Sequence, residues 1–161
     1  MEWTAASGWS PWCQANLPFA RCSTSRSRPP LPFDDGAFDF AYAISVFTHL
    51  AEDLQLPWMR ELCRVVRPGG HLPVTTHGAS YRGRLTAREQ EAFAAGDLVV
   101  RYREASGLNL CTVYHPEAYV RERMGSGLQV LDFVPVGQRE GVYQDVYLLR
   151  KGGGRPMVGG P

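Results

Sequence analysis

An α/β fold, a doubly wound sheet that is mostly parallel and finishes in an antiparallel hairpin, is what this 161-residue chain predicts. Three observations carry that prediction. The run "FDFAYAISVF" from Phe38 is almost continuously apolar, as strands between two helical layers are. An amphipathic segment follows it, and "RPGGHLPVTTHG" then turns back into a second strand, which makes a βαβ unit. At the far end "LQVLDFVPV" and "YQDVYLLRK" flank "GQREGV", a hairpin signature.

Taken in order, the first thirty residues are atypical. "STSRSRPP" (residues 23–30) reads as a polar loop whose two prolines hold an extended approach to Leu31. "PFDDGAF" is a turn in which Gly36 supplies positive φ. After the Phe38 strand, Leu54, Trp58, Leu62 and Val65/Val66 recur at spacings of three and four, one face of a helix. Pro57 predicts either a kink there or a helix beginning at that residue. Pro68, Gly69 and Gly70 predict a tight turn, and Pro73 a bulge or a weakened strand. Thr86 with Glu89 forms a capping box opening a short helix that Gly96 closes. Another helix is expected from Pro116, and residues 152–161 form a Gly/Pro tail expected to be disordered.

Composition narrows the function classes. A net charge of +1 with only two short Arg-rich spots gives no basic surface for nucleic acid. No stretch is long and apolar enough to span a bilayer, and the N-terminus lacks the pattern of a signal peptide. Cys13, Cys22, Cys63 and Cys111 form no C-x-x-C pair, which predicts neither a metal site nor disulfides and favours a reduced, cytoplasmic setting.

The ordered set "LPFDDGAFDFAYAISVFTHL", "LCRVVRPGGHLPVTTHG" and "QDVYLLRK" resembles the class I S-adenosylmethionine-dependent methyltransferases of the small-molecule, methyltransferase-domain type. The resemblance covers residues 31–151, with "WCQANLPFA" similar to the helix after the family's second strand. It implies a Rossmann-like sheet with S-adenosyl-L-methionine outside the carboxyl ends of the strands. Ser45, Val46 and Phe47 would then contact the cofactor's adenosine part, and Thr48, His49, Thr76 and His77 would face a small-molecule methyl acceptor. Methyl transfer needs mainly near-attack positioning, with a base only for a poor nucleophile; His49 is the candidate base. Taken singly, each histidine also fits a purely structural role, and Thr48 fits a helix cap. Tyr81, Arg82, Arg84, Arg101, Tyr102 and Arg103 would meet an acidic or sugar-like acceptor, or form ordinary charged surface.

The family's first strand, its Gly-rich turn and the ribose-binding acid have no counterpart in the first thirty residues, where Arg26 stands near the adenine position. Three readings follow: an N-terminally incomplete enzyme, a homologue that no longer binds cofactor and serves as an interaction module, or a site completed by another chain. The first is expected, because the resemblance starts mid-domain. It carries the expectation of an exposed sheet edge through which copies self-associate. A nicotinamide-dependent dehydrogenase shares the sheet type but does not account for "SVFTHL" followed by "RPGG".

Overall fold

The computed structural model describes residues 2–4, 9–136 and 143–153. The expected tail from residue 154 and the hairpin tip at 137–142 lie outside them. The chain divides into two compact units, Met1–Pro32 and Phe33–Pro161.

The first unit is a small βαβ. Strand β1 (Glu2–Thr4) pairs in parallel with β2 (Cys22–Thr24), and α1 (Trp9–Asn16) connects them. This corrects the sequence reading twice. A strand does precede Gly8, and the polar loop gives up Ser23 and Thr24 to β2. Cys22 is buried, and the Gln14 amide donates to its carbonyl (2.9 Å), so one apolar anchor and one long-range bond outweigh the polar composition.

The second unit holds a four-stranded sheet in the order β3–β4–β8–β7, with β3 (Phe38–Phe40), β4 (Val66–Thr76), β7 (Leu128–Val134) and β8 (Asp145–Lys151). β3 and β4 are parallel, and β8 runs against both β4 and β7. Three strands therefore point one way and β8 alone opposes them, the mixed α/β sheet with a terminal hairpin that the sequence predicts. A separate antiparallel pair, β5 (Val99–Arg101) with β6 (Thr112–Tyr114), escaped the sequence reading because each strand is only three residues long.

The apolar run after Phe38 is not buried on both faces. Phe40, Tyr42, Ile44 and Val46 are each about half exposed, whereas Ala43 is buried and Ala41 packs against the core. The run does alternate, in size rather than polarity, and small inward residues let α2 (Glu52–Val65) sit close. That core joins Phe47, Leu54 and Met59 to Leu72, Val74, Tyr147 and Leu149. Burying a ring such as Phe47 stabilises by roughly 2 kcal/mol.

Helix α2 begins at Glu52, five residues before Pro57, with Glu52 and Asp53 complementing its dipole. Pro57 forgoes one intrahelical bond inside the helix, and burial of Leu54, Met59 and Val65 compensates. The Pro68–Gly70 turn is a wide bulge inside β4: three residues of β3, Phe38 to Phe40, lie opposite the six from Val66 to His71. Asp39 pairs with Arg67 across that bulge. Pro73 causes no bulge, since the β4–β8 register runs unbroken from His71 to Thr76. Its carbonyl accepts from Ala43 (2.9 Å), so the ladder loses only the amide that proline lacks.

Helix α3 (Ala87–Ala94) opens on the expected capping box. The Thr86 N–H donates to Glu89 Oε2 (2.8 Å) and the Glu89 N–H to Thr86 Oγ1 (3.4 Å). The helix expected from Pro116 is one α-turn, α4 (Glu117–Tyr119), running into a π-turn at Val120–Met124. No helix among the described residues is long and apolar enough to cross a membrane.

Candidate functional site

The polar edge of the apolar strand has a definite construction. In the β3–β4 ladder Ala41 and Ala43 donate to the carbonyls of His71 and Pro73, and Thr75 donates back to Ala43. The next rung would take the Ser45 N–H to the Thr75 carbonyl. It goes instead to the Thr75 hydroxyl, at 2.8 Å. With a side-chain acceptor in place of a backbone one, the pairing that runs on past β3 stops, and Ser45 stands at φ 55°, a left-handed conformation unusual for a residue with a Cβ. The chain then closes a single 3₁₀ turn, Phe47–His49.

This turn sorts the expected site residues. Ser45 and Val46 are exposed, Val46 at 45 %, and His49 is half-buried. Phe47 and Thr48 are sealed, at 0 %. Phe47 is therefore a core residue rather than a cofactor wall, because the turn points its ring back toward α2. Thr48 lies behind the surface with its hydroxyl 3.4 Å from Ser45 Oγ.

His49 is held from three directions. Its Nδ1 lies 2.8 Å from the Cys111 carbonyl, the Gly107 N–H donates to its carbonyl (2.7 Å), and the neighbouring Ala51 N–H donates to Ser106 Oγ (2.7 Å). A carbonyl only accepts, so Nδ1 carries a proton and donates it to Cys111, leaving Nε2 as the ring's other nitrogen. The loop that does this turns on Tyr102, left-handed at φ 54°, and on Gly107.

At the end of β4, Thr76 is fully buried, and its hydroxyl has no partner among the described residues. Direct contact with an acceptor is thereby withdrawn from Thr76. His77 is half-buried and lies against Tyr81 (ring centroids 4.4 Å apart) and Tyr114 (5.8 Å). Burial holds its pKa below the usual histidine value, with smaller depressions from His49 and Arg84. Behind it, His115 is completely buried, bonded through Nε2 to the Gln55 amide oxygen (3.1 Å), and pushed by burial down to about 3. It is a neutral structural histidine.

Gly78 is required by a close approach. A Cβ there would lie 1.7 Å from Asp145 Oδ2, and that buried carboxylate accepts from the Val136 N–H (2.9 Å). Burial raises the Asp145 pKa.

The cationic side chains expected near an acceptor are partly engaged elsewhere. Arg101 binds Glu89 through two nitrogens (2.8 and 2.5 Å) and lies over the Tyr114 ring, and Arg103 is 3.7 Å from Asp53. Arg84 lies over Tyr81. Among the described residues no group of three or more His, Cys, Asp or Glu could hold a metal ion, and the four cysteines are free thiols. A cavity of about 460 Å³ lies between α2 and the π-turn, lined by Leu56, Met59, Arg60, Cys63, Arg123 and Met124 among others. Its lining includes none of the strand-end residues.

Thr75 and Cys111 contribute to this site and were missed from sequence. Thr75 reads as an ordinary strand residue, and the Cys111 contribution is a backbone carbonyl, which no side chain announces.

Residues 12–74 match the family model described as a methyltransferase domain. No curated protein matches the chain. Among solved structures, a SAM-dependent methyltransferase from Methanosarcina mazei superposes with a TM-score of 0.65 at 13% identity, over 94% of this chain and 81% of that one. An S-adenosylmethionine-dependent methyltransferase from Mesorhizobium loti gives 0.67 at 13%, over 92% and 78%. The Burkholderia thailandensis 1,6-didemethyltoxoflavin-N1-methyltransferase, solved with 1,6-didemethyltoxoflavin and S-adenosylhomocysteine bound, gives 0.57 at 15%, over 91% and 57%. The fold is the Rossmann-like fold of class I S-adenosylmethionine-dependent methyltransferases, and the family match contains the strand, helix and RPGG segment whose order marks it.

Proposed function

We propose that this chain, built on the class I methyltransferase fold, is an S-adenosylmethionine-dependent methyltransferase acting on a small-molecule acceptor. The observation that carries the reading is the interrupted end of β3, which presents Ser45 and Val46 on the surface beside a histidine whose ring is fixed by a backbone carbonyl. Strand ends of an open α/β sheet are where such folds take nucleoside-like ligands. The groups present suit one: the Ser45 hydroxyl for polar contact and the half-exposed Val46 for an apolar edge. Those two residues would hold the cofactor. When bound, it supplies an electrophilic methyl on a sulfonium sulfur.

The chain's own contribution is positioning and one proton transfer. His49, its Nδ1–H fixed on Cys111, takes at Nε2 the proton that an oxygen or nitrogen acceptor loses as its new bond to carbon forms. His77 and Tyr81 form an aromatic wall on the acceptor side. A small organic acceptor is supported by the small molecule bound to the Burkholderia relative.

Titration calorimetry of the whole chain with S-adenosylhomocysteine tests the reading. Micromolar binding is expected, and no heat up to millimolar ligand overturns it in favour of a non-catalytic module of the same fold. That second reading draws on the burial of Phe47 and Thr48. His49→Ala is expected to leave this affinity unchanged and to lower turnover roughly a hundredfold for an acceptor that needs deprotonation.

Self-association belongs to the same proposal. β3 closes one edge of its sheet, and Phe40, Tyr42, Ile44 and Val46 stand half exposed along it. A single monomeric peak in size-exclusion chromatography would count against that part.

A further inference from the structure

Three residues, Ser45, Thr75 and Gln144, close a hydrogen-bonded ring just beyond β3, with Thr48 attached to it. The Ser45 N–H donates to Thr75 Oγ1 (2.8 Å), and the Thr75 hydroxyl donates to Gln144 Oε1 (2.5 Å). The Gln144 amide N–H donates to Ser45 Oγ (3.0 Å), and Ser45 Oγ lies 3.4 Å from Thr48 Oγ1. Each donor finds a matching acceptor. Because the Thr75 proton is committed to Gln144, the hydroxyl's lone pair is aimed at the Ser45 amide. Thr75 is only 5 % exposed, so the ring is backed by the core on one side.

From this geometry we infer that Gln144 is a positioning residue for the rim. It stands just before β8, 99 residues away in sequence, and locks Ser45 into the left-handed turn that presents Ser45 and Val46. A serine in that conformation is strained and persists only where its surroundings over-determine it. Both ends of the Gln144 amide supply that constraint, one directly to the Ser45 hydroxyl and one through Thr75. A leucine supplies neither, and a glutamate offers two acceptors where a donor is needed. The consequence for cofactor affinity rests on the function proposed above; the holding role does not.

Amide hydrogen exchange separates the two. In the full chain, Gln144→Leu is expected to speed exchange at the Ser45 amide about tenfold while the Leu72 and Leu149 amides keep their rates. Gln144→Glu, which keeps the side chain's length and removes its donor, should give the same signature and serves if Gln144→Leu folds poorly. An unchanged Ser45 amide in both variants overturns the inference. With S-adenosylhomocysteine as probe, Gln144→Leu should weaken Kd about tenfold, because Ser45 is no longer held in its left-handed turn. If Gln144 merely stabilised the hairpin, the Leu149 amide, paired with both β4 and β7, would exchange faster together with Ser45, and that result also overturns the inference. A parent chain that binds no S-adenosylhomocysteine refutes the proposed function, and the exchange data then decide the role of Gln144 alone.

Discussion

The start of α3 and the end of β3 solve the same problem, stopping a regular element and satisfying its last backbone groups, by opposite means. At α3, Thr86 and Glu89 exchange bonds three residues apart, and everything needed is contiguous. At Ser45 the partners lie 30 and 99 residues away, on β4 and just before β8, and they meet only when the sheet assembles. The first device is a local preference that any helix can use. The second is a product of topology, and it shapes a surface as well as ending a strand. The candidate site leans on the second kind.

The largest test of that contrast is Gly78→Ala. The added methyl would overlap Asp145 Oδ2, 67 residues away and buried, and displacing that carboxylate would strand the Val136 amide. A loss of roughly 3 kcal/mol is expected in urea unfolding. A near-neutral result would mean that the long-range contact is slack.

Acid should expose the buried histidine next. The folded pKa of His115 is lowered from 6.5 to about 3, so the unfolded chain gains a proton that the folded one refuses. Its stabilising contribution is complete above about pH 6.5 and falls as pH drops toward 3. By about pH 4.5 roughly 3 kcal/mol should be gone. Unfolding midpoints of His115→Gln should be flatter across that window; equal slopes would show that other groups govern it.

A direct comparison of the two stop devices comes from paired variants. Thr75→Val leaves the Ser45 amide without its acceptor and should cost about 2 kcal/mol. Thr86→Ala removes an exposed cap and should cost about 1 kcal/mol. If the order reverses, the ring at β3 is weaker than its geometry implies.

The smallest effect belongs to Glu89. Its bond to Arg101, helped by the Thr86 amide, lowers its pKa from 4.5 to about 2, so its contribution is present above about pH 4.5 and lost as pH falls to about 2. Solvent screens the pair, and the change should be under about 1 kcal/mol. Glu89→Gln should erase that part of the acid profile and nothing above it.

These contrasts also explain what could be read in advance. The capping box at Thr86, the turn at Gly36, the terminal hairpin and the βαβ core are each written in neighbouring residues, and each stands in the structure where expected. The β3 run misled because its alternation is one of size: alanines at 41 and 43 face the core while aromatic and branched residues stand outward. Phe47, Thr48 and Thr76 were placed at the site by their order along the strand ends. Their burial depends on how a left-handed Ser45 turns the chain, and a partner 99 residues away controls that.

The sequence by itself determined the fold class and singled out the polar end of one strand as a candidate site, because hydrophobic period, turn residues and caps act over a few residues. Only the tertiary structure decided which side chains at that end reach the surface. It also decided which backbone carbonyl fixes the His49 ring and what holds the rim in shape. Those outcomes depend on hydrogen bonds between residues dozens of positions apart, and such bonds have no local signature until the sheet brings their partners together.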